Sequence, residues 1–258
     1  MDDSRNENRR LWDEWSDDFQ ALWNADTADG ELPPAPCPFT EDAPGASHPD
    51  ILPTVEGVDF VELGCGGGQA SVGTAIEGAD TAVGVDFSGE QLAHARKLRD
   101  LYGVDAQFVA GGVTDLPFAD DAFDVAFSGW VYQMVEDLDG ALAEAHRVLR
   151  DEGVLVFDLP HPFYELFDPT EKELERSYHA PNRREITIKD EYDAEMVVFD
   201  RTVGELHNTV VESGFDIKRL LEPGSDDPEE YDDDPLESTQ PDLMALVPRN
   251  LRFWAVAE

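Results

Sequence analysis

The sequence predicts an α/β protein with a mostly parallel sheet and helices on both of its faces. A short apolar run at 58–61 is followed by small residues at 64–68, which turn the chain from a strand toward a helix. A second apolar run at 81–85 ends in Asp86. Further apolar runs of strand length alternate with helical patterns along most of the chain. Strands that alternate with helices in this way are typical of parallel sheets built from βαβ units.

The stretch VDFVELGCGGGQ, residues 58–69, is the centre of this prediction. Glycine is needed where the backbone takes a positive φ or approaches a ligand closely. A turn from a strand into a helix also presents free backbone N–H groups at the helix N-terminus. Asp86 follows Gly64 by 22 residues, which is the spacing expected for an acid that accepts hydrogen bonds from ribose hydroxyls. We therefore predict a nucleoside-containing ligand at this edge of the sheet.

Two features argue against a dinucleotide as that ligand. The dinucleotide motif needs a third glycine at position 69, where this chain has Gln69. Glu62, just before the turn, would repel an anionic pyrophosphate, whereas it suits a ligand that carries an ammonium and a sulfonium. NAD binding, or a core that has lost its ligand, stays open as an alternative at this point.

The pattern E-x-G-x-G-x-G from Glu62 to Gly68, with Asp86 after the second strand, resembles motif I and the acidic loop of the class I S-adenosyl-L-methionine (SAM)-dependent methyltransferases. The segments DLPF at 115–118 and AHRVLRDEG at 145–153 also resemble this family, in its UbiE-like, methyltransferase type 11 form. The resemblance implies a Rossmann-like, seven-stranded sheet with an antiparallel last strand. It further implies SAM as the cofactor and a small molecule as the methyl acceptor.

The resemblance also assigns parts of the cofactor to particular residues. It implies contacts to the methionine end from Glu62, Gly64, Cys65, Gly66 and Ser128, to the ribose from Asp86, and to the adenine from Phe87, Gly112 and Val113. Family members often carry an aspartate at the position of Gly112, where it accepts from the adenine amino group. Since that acid is absent, we expect the backbone at Val113 and the side chain of Asp115 to contact the adenine.

The other elements are predicted from apolar periodicity, capping residues and helix breakers. Trp12, Trp15 and Phe19 recur at helical spacing, so residues 5–25 should form an amphipathic helix that packs on the edge of the sheet, forms a lid over the cofactor or the acceptor, or does both. Further helices are expected at 70–76, 89–101 with Ser88 as N-cap, 140–149 with Asp139 as N-cap, 170–177 and 203–213. Strands are expected at 106–110, 123–128, 154–157 after a tight turn at Gly153, 215–221 and 249–256, with a hairpin of 185–189 and 196–199.

These elements divide the chain into four parts. Residues 1–53 hold the N-terminal helix and a proline-rich linker, and residues 54–159 form the cofactor-binding core. Residues 160–200 form an inserted cap with the hairpin, and residues 201–258 complete the core, apart from an acidic, solvated loop at 225–242. We expect the N-terminal helix and the insertion to select the acceptor.

The net charge of −40, from 58 acidic and 18 basic residues, limits the possible partners and surroundings. Self-repulsion strains such a protein at low salt, and molar salt screens it. We therefore infer a halophilic, haloarchaeal host, with a basic partner as the alternative. The scarcity of basic residues disfavours a nucleic-acid substrate. The two cysteines do not have the spacing of a metal site, so we expect no metal. The sequence has no long apolar run and no signal peptide, so we expect a cytoplasmic protein without a membrane span. We expect it to be a monomer or homodimer.

Methyl transfer from a sulfonium is an in-line displacement that depends on positioning and on exclusion of water. It requires no nucleophilic side chain, so the sequence leaves the catalytic residues unknown. His161 and Tyr164, just beyond the strand at 154–157, are the candidates for a base if the acceptor needs one. A SAM-binding regulatory or partner module without transferase activity is the alternative function.

Overall fold

The computed structural model describes residues 3–26, 34, 54–168, 171–180, 183–231 and 240–258. The helices are α1 (Asp3–Asp26), α2 (Gln69–Ile76), α3 (Gly89–Tyr102), α4 (Leu138–Val148), α5 (Val203–Glu212) and α6 (Pro241–Met244). The strands are β1 (Asp59–Leu63), β2 (Thr81–Asp86), β3 (Ala106–Ala110), β4 (Phe123–Gly129), β5 (Leu149–Pro160), β6 (Arg183–Ile186), β7 (Met196–Phe199), β8 (Phe215–Leu221) and β9 (Asn250–Ala257).

Seven of these strands form one sheet in the order β3-β2-β1-β4-β5-β9-β8. The strands from β3 to β5 pair in parallel, and β9 lies antiparallel between β5 and β8. The predicted Rossmann-like sheet with an antiparallel last strand is confirmed. The strand order reverses beside β1, and ligands of such sheets bind outside the carboxyl ends of the strands at this point.

Helices cover both faces of the sheet, as the sequence predicts. On one face, Val61 of β1 packs in a cluster with Leu142 of α4 and Leu206 of α5. On the other, Ala82 of β2 packs with Leu92 of α3. Burial on both sides explains why the central strands are continuous apolar runs without polar alternation. The two layers of helices fix the strands, and therefore the loops at their carboxyl ends.

Two predicted boundaries near α4 are wrong. The N-cap of α4 is Asp137, whose carboxylate accepts from the N–H of Gly140 at 3.0 Å, so the helix begins earlier than a cap at Asp139 would allow. β5 begins where the end of α4 was predicted, and the left-handed residue of the turn is Glu152, with φ of 63°, and not Gly153. Gly153 is needed for close packing, since a Cβ there would lie 2.7 Å from the carbonyl oxygen of Arg150.

Within the insertion, the predicted hairpin is confirmed and the predicted helix is wrong. β6 and β7 pair antiparallel, with β6 ending at Ile186, before the predicted end at 189. Residues 171–177 contain no helix, because a bridge between Phe167 and Leu174 folds this segment back on itself. The linker at 31–53, apart from Pro34, lies outside the described residues, as do residues 232–239 of the acidic loop. Among the helices described, none has both the length and the apolar composition of a membrane span.

Candidate cofactor site at the carboxyl edge of the sheet

The glycine turn, residues 64–68, leads from β1 into α2 through three left-handed glycines. Gly64, Gly66 and Gly68 have φ of 75°, 48° and 77°. A Cβ on Gly64 would lie 2.9 Å from Cγ1 of Val131, and one on Gly68 would lie 2.6 Å from the ring of Phe108. Backbone conformation and close packing therefore both require glycine here, and the turn is fixed between the loop after β4 and strand β3.

Glu62 is a buried carboxylate at the start of this turn. Its Oε2 accepts from the backbone N–H of Ser71 at 2.8 Å and from the Ser71 hydroxyl at 2.6 Å. Burial raises the pKa of Glu62 to about 8, against the lowering effect of those two hydrogen bonds. The carboxyl thus holds the first turn of α2 in place. A cationic group placed beside it would favour its ionised form.

Asp86 lies at the end of the neighbouring strand, β2. Its Oδ2 accepts from the N–H of Gly66 at 2.9 Å, and its Oδ1 accepts from the N–H of Ser88 at 2.8 Å. Burial raises the pKa of Asp86 to about 6. Each carboxylate oxygen has a further lone pair, so both can still accept from hydroxyl donors. Ser88 caps α3 as predicted, because its hydroxyl accepts from the N–H of Gln91 at 3.1 Å.

The predicted adenine residues lie at the ends of β2 and β3. Phe87 and Val113 are half-buried, Gly112 is buried, and Asp115 is exposed with its N–H donating to the carbonyl of Gly112 at 3.1 Å. The side chain that lies against Gly112 belongs to Arg5 of α1. The end of β3 is thus covered by a residue that the sequence analysis did not select.

Two of the predicted methionine-end residues hold strands together. The hydroxyl of Ser128, at the end of β4, is buried and donates to the carbonyl of Leu63 at 2.9 Å. The thiol of Cys65 is also buried and lies 2.7 Å from the place of a Cβ on Gly84 in β2. Burial raises the pKa of the Cys65 thiol, so it is not a thiolate nucleophile. A contact from either residue to a cofactor stays a prediction.

His161, one of the two candidate bases, is engaged through both ring nitrogens. Its Nδ1 accepts from the N–H of Phe163 at 3.1 Å, which assigns the ring hydrogen to Nε2, and Nε2 donates to Glu222 at 2.8 Å. Its backbone N–H donates to the carbonyl of Arg249 at 2.7 Å. His161 therefore joins the ends of β5, β8 and β9. Tyr164 is buried in the following single helical turn, and a catalytic role for either residue stays a prediction.

Helix α1 lies across the glycine turn and the Asp86 loop. Asp13 accepts from the hydroxyl of Ser88 at 2.7 Å. The side chain of Gln20 accepts from Nε2 of Gln69 and donates to Oε1 of Gln91, both at 2.7 Å. A Cβ on Gly67 would lie 2.6 Å from Nε2 of Gln20, so this glutamine occupies the space above the turn. α1 therefore covers the predicted cofactor site.

The same helix also packs against the inserted hairpin and the loop after β4. Both side-chain atoms of the Asn8 amide bond to β7, with Oδ1 accepting from the N–H of Val197 at 2.7 Å and Nδ2 donating to its carbonyl at 2.9 Å. The rings of Trp12 and Trp15 stack with centroids 5.0 Å apart, and the ring of Phe19 lies edge-on to both, at 5.1 and 4.9 Å. α1 thus packs on α3, the inserted hairpin and the loop after β4, and a role as cover over a bound cofactor or acceptor stays a prediction.

Several polar residues of this cover were missed, although the sequence contained a signal for them. Asn8, Ser16 and Gln20 are buried on the same side of an amphipathic helix, where an apolar residue would be expected. Among the described residues, neither the Ser16 hydroxyl nor Nε2 of Gln91 has a hydrogen-bond partner, although both are buried. Buried polar atoms without protein partners indicate a site for a polar ligand or water.

Comparison with known proteins identifies the domain. Residues 61–157 match the protein family described as methyltransferase domain. This part of the chain is therefore similar to methyltransferase domains. The match begins within β1 and ends within β5, and it contains the glycine turn, Glu62 and Asp86.

Individual relatives agree with the family match. The chain is 35% identical over 120 residues to the uncharacterized methyltransferase YbaJ of Bacillus subtilis, covering 46% of this chain and 47% of the relative, and so spans about half the length of that relative. An S-adenosylmethionine-dependent methyltransferase structure from Mesorhizobium loti is similar, with a TM-score of 0.61 and 27% identity over 80% of this chain and 94% of that one. A methyltransferase solved in complex with the Haloferax volcanii Trm112 activator shares the fold, with a TM-score of 0.62 and 20% identity over 95% of this chain and 97% of that one.

Proposed function

We propose that this chain binds SAM at the carboxyl ends of β1, β2 and β3 and transfers its methyl group to a small-molecule acceptor. The observation that carries the proposal is the pair of buried carboxylates on neighbouring strands, Glu62 and Asp86, on either side of the glycine turn. A ligand with a cationic amino-acid end and two ribose hydroxyls supplies a charge for the first carboxylate and donors for the second. The match of residues 61–157 to the methyltransferase domain supports this assignment.

In this proposal the cofactor supplies an activated methyl group, and the protein positions the reactants and excludes water. Glu62 lies next to the amino-acid end, and ionises when the ligand's ammonium lies beside it. Asp86 accepts from the ribose hydroxyls while it keeps the N–H groups of Gly66 and Ser88. Gln91 and Ser16 supply buried donors that lack protein partners in the described part of the chain. Helix α1 closes the site from solvent through Gln20.

The acceptor side is assigned to α1 together with the inserted hairpin. The clustered rings of Trp12, Trp15 and Phe19 offer an apolar wall beside Met134, whose sulfur lies 3.3 Å from Nε1 of Trp12. An acceptor with an apolar or aromatic body suits such a wall. The net charge of −40 opposes a nucleic-acid acceptor. We assign the chain to the UbiE-like subfamily and to a halophilic cytoplasm as further parts of this proposal.

Calorimetric titration with S-adenosylhomocysteine in molar KCl, with NAD titrated in parallel, tests the cofactor assignment. We expect binding of S-adenosylhomocysteine alone, since Gln69 stands where the dinucleotide motif needs glycine. Binding of NAD instead would overturn the proposal. Because a methyltransferase of the same fold was solved in complex with the Haloferax volcanii Trm112 activator, the titration is repeated with that activator present. If S-adenosylhomocysteine does not bind either with or without the activator, the proposal is also overturned.

Transfer of a labelled methyl group separates an enzyme from a SAM-binding module without activity. We would incubate the protein with methyl-labelled SAM and a panel of quinones, phenols, amines and carboxylic acids. Transfer to any of them would exclude the binding module. Binding of SAM without transfer across the panel would favour it.

A further inference from the structure

The guanidinium of Arg5 lies directly over Gly112, at the end of β3. A Cβ built on Gly112 would lie 2.6 Å from Cζ and 3.2 Å from Nε of Arg5. Gly112 is buried, whereas Arg5 as a whole is exposed. A side chain at position 112 would therefore have to displace the guanidinium, so the missing Cβ makes room for Arg5.

The end of β3 is the next binding position beyond Asp86 along the edge of the sheet. β2 and β3 pair in register up to Asp86 and Ala110, and the N–H of Gly111 donates to the carbonyl of Asp86 at 3.0 Å. A nucleoside whose ribose lies on Asp86 and whose amino-acid chain extends to the glycine turn must direct its base away from that turn. The base then lies toward Gly112 and the guanidinium above it.

The residues that hold Arg5 in this place come from distant parts of the chain. The neighbouring Ser4 donates from its hydroxyl to Glu136 at 3.1 Å, and Asn8, one turn further along α1, pairs with the backbone of Val197. These two anchors fix the first turns of α1 on both sides of Arg5. The backbone from which the Arg5 side chain extends is thus fixed before any ligand binds, which lowers part of the entropy cost of a contact to the guanidinium.

We propose that Arg5 donates a hydrogen bond to a ring nitrogen of the adenine of the cofactor. A guanidinium has five N–H donors and no acceptor, so its partners on a purine are the acceptor nitrogens N1, N3 or N7. The end of β3 then recognises the base through a donor carried by α1, in place of an acid on the strand. The inference rests on the proposed function, because it requires SAM or S-adenosylhomocysteine to bind along this edge.

Calorimetry with S-adenosylhomocysteine compares the wild-type protein with Arg5→Ala, Arg5→Lys and Arg9→Ala. Arg9→Ala is the matched control, because it removes the same charge from an exposed position on the same helix. We expect Arg5→Ala to weaken binding by about tenfold to a hundredfold, the range for loss of a hydrogen bond to a charged group. The Kd of Arg5→Lys should lie between those of the wild type and Arg5→Ala. The Kd of Arg9→Ala should stay within about twofold of the wild-type value. Equal effects of Arg5→Ala and Arg9→Ala would overturn the proposal.

A thermodynamic cycle separates a contact to the base from a structural role of Arg5. Analogues of S-adenosylhomocysteine in which N1, N3 or N7 is replaced by C–H are titrated into wild type and Arg5→Ala. We expect one analogue to bind wild type weakly and to lose no further affinity in Arg5→Ala, because the two changes remove the same hydrogen bond. If Arg5→Ala weakens all three analogues and the parent compound by the same factor, the proposal is wrong. Absence of wild-type binding to the parent compound would instead overturn the proposed function.

Discussion

Gln20 donates from Nε2 to Oε1 of Gln91 at 2.7 Å, and this hydrogen bond joins α1 to α3 directly above the glycine turn. Oε1 of Gln20 accepts from Gln69 at the same distance, so one side chain connects the first turns of α2 and α3. Gln20 and Gln91 are both buried. Breaking such a contact leaves buried polar atoms unpaired, at a cost of about 1–3 kcal/mol. Gln20 therefore joins α1 to the two helices that begin beside the glycine turn, where we propose that the cofactor binds.

Gln20→Ala should loosen α1 and weaken cofactor binding together. We expect faster amide hydrogen exchange along α1 and about a tenfold increase in the Kd of S-adenosylhomocysteine, since about 1.4 kcal/mol corresponds to a factor of ten. The control is Asp17→Ala, which removes a 2.8 Å contact to His94 between the same two helices. The Asp17 side chain is 92% exposed, so its contact contributes about 0–1 kcal/mol. Unchanged exchange in Gln20→Ala would show that other contacts close the helix.

The glycine turn and the position of Asp86 beside it could be predicted from the sequence because both depend on local patterns. A strand, a run of small residues and an acid at fixed spacing follow from the βαβ unit itself. The hydrogen bonds of α1 could not be predicted in this way, because they connect residues 71 positions apart for Gln20 and Gln91, and 189 apart for Asn8 and Val197. Periodicity identified the helix, but only the folded chain identifies what its polar side chains contact.

The error at the start of α4 has a different cause. Asp137 and Asp139 are both aspartates placed just before an apolar stripe, and either could cap a helix. The choice depends on Leu138, which is buried in the core cluster beside Leu142 and is therefore the first residue of the helix and not part of the loop. Tertiary packing thus decided a boundary that capping preference left open.

Asp86→Asn should weaken cofactor binding and flatten its dependence on pH. Burial raises the pKa of Asp86 to about 6 in the free protein. Ribose hydroxyls donate to the ionised form, so affinity of the wild type should fall as the pH drops below about 6, by up to about tenfold for each pH unit. At pH 7.5 we expect Asp86→Asn to lose about 1.5–3 kcal/mol of binding free energy.

Calorimetry with S-adenosylhomocysteine between pH 5 and 7.5 measures both effects. Asn keeps one oxygen acceptor for a backbone N–H, so the variant should still fold, which its melting temperature verifies. The exposed Asp105, at the opposite end of β3 from the site, provides the control, and Asp105→Asn should keep the wild-type pH profile. If the affinity of Asp86→Asn depends on pH in the same way as that of the wild type, the ribose does not lie on this carboxylate.

The free energy of unfolding of the wild type should fall as the pH rises, and Glu62→Gln should abolish this fall. Burial raises the pKa of Glu62 to about 8 in the folded protein, against an ordinary value near 4.3 in the unfolded chain. Its contribution is therefore fully present below the unfolded pKa and is lost as the pH rises through the folded pKa. Because a tenfold difference between the two acid dissociation constants corresponds to about 1.4 kcal/mol, the free energy of unfolding should fall by about 3–5 kcal/mol across this window.

Urea unfolding at constant KCl between pH 5 and 8 measures this slope. Glu62→Gln keeps an oxygen that accepts from Ser71, and its free energy of unfolding should change less with pH than that of the wild type. Glu144 provides the control, because its hydrogen bond to Arg147 shifts its pKa downward, in the opposite direction to that of Glu62. Its contribution is present above the unfolded pKa, so Glu144→Gln should leave the slope between pH 5 and 8 unchanged. A wild type whose stability is flat over this range would contradict the burial argument.

The fold should be lost at low ionic strength and regained in molar KCl. The excess acidic groups, which give a net charge of −40, repel one another over a Debye length of about 30 Å at 0.01 M salt, and over only about 3 Å at 1 M. Salt also weakens exposed ion pairs, such as Lys189 with Asp18 between the hairpin and α1. Because solvent screens both partners of such an exposed pair, its contribution is small, and relief of the overall repulsion outweighs its loss. Circular dichroism melting from 0.01 to 2 M KCl measures the balance, with sucrose as the uncharged control for solute exclusion. A melting temperature independent of KCl would refute adaptation to high salt, and an equal rise in sucrose would assign the effect to exclusion and not to screening.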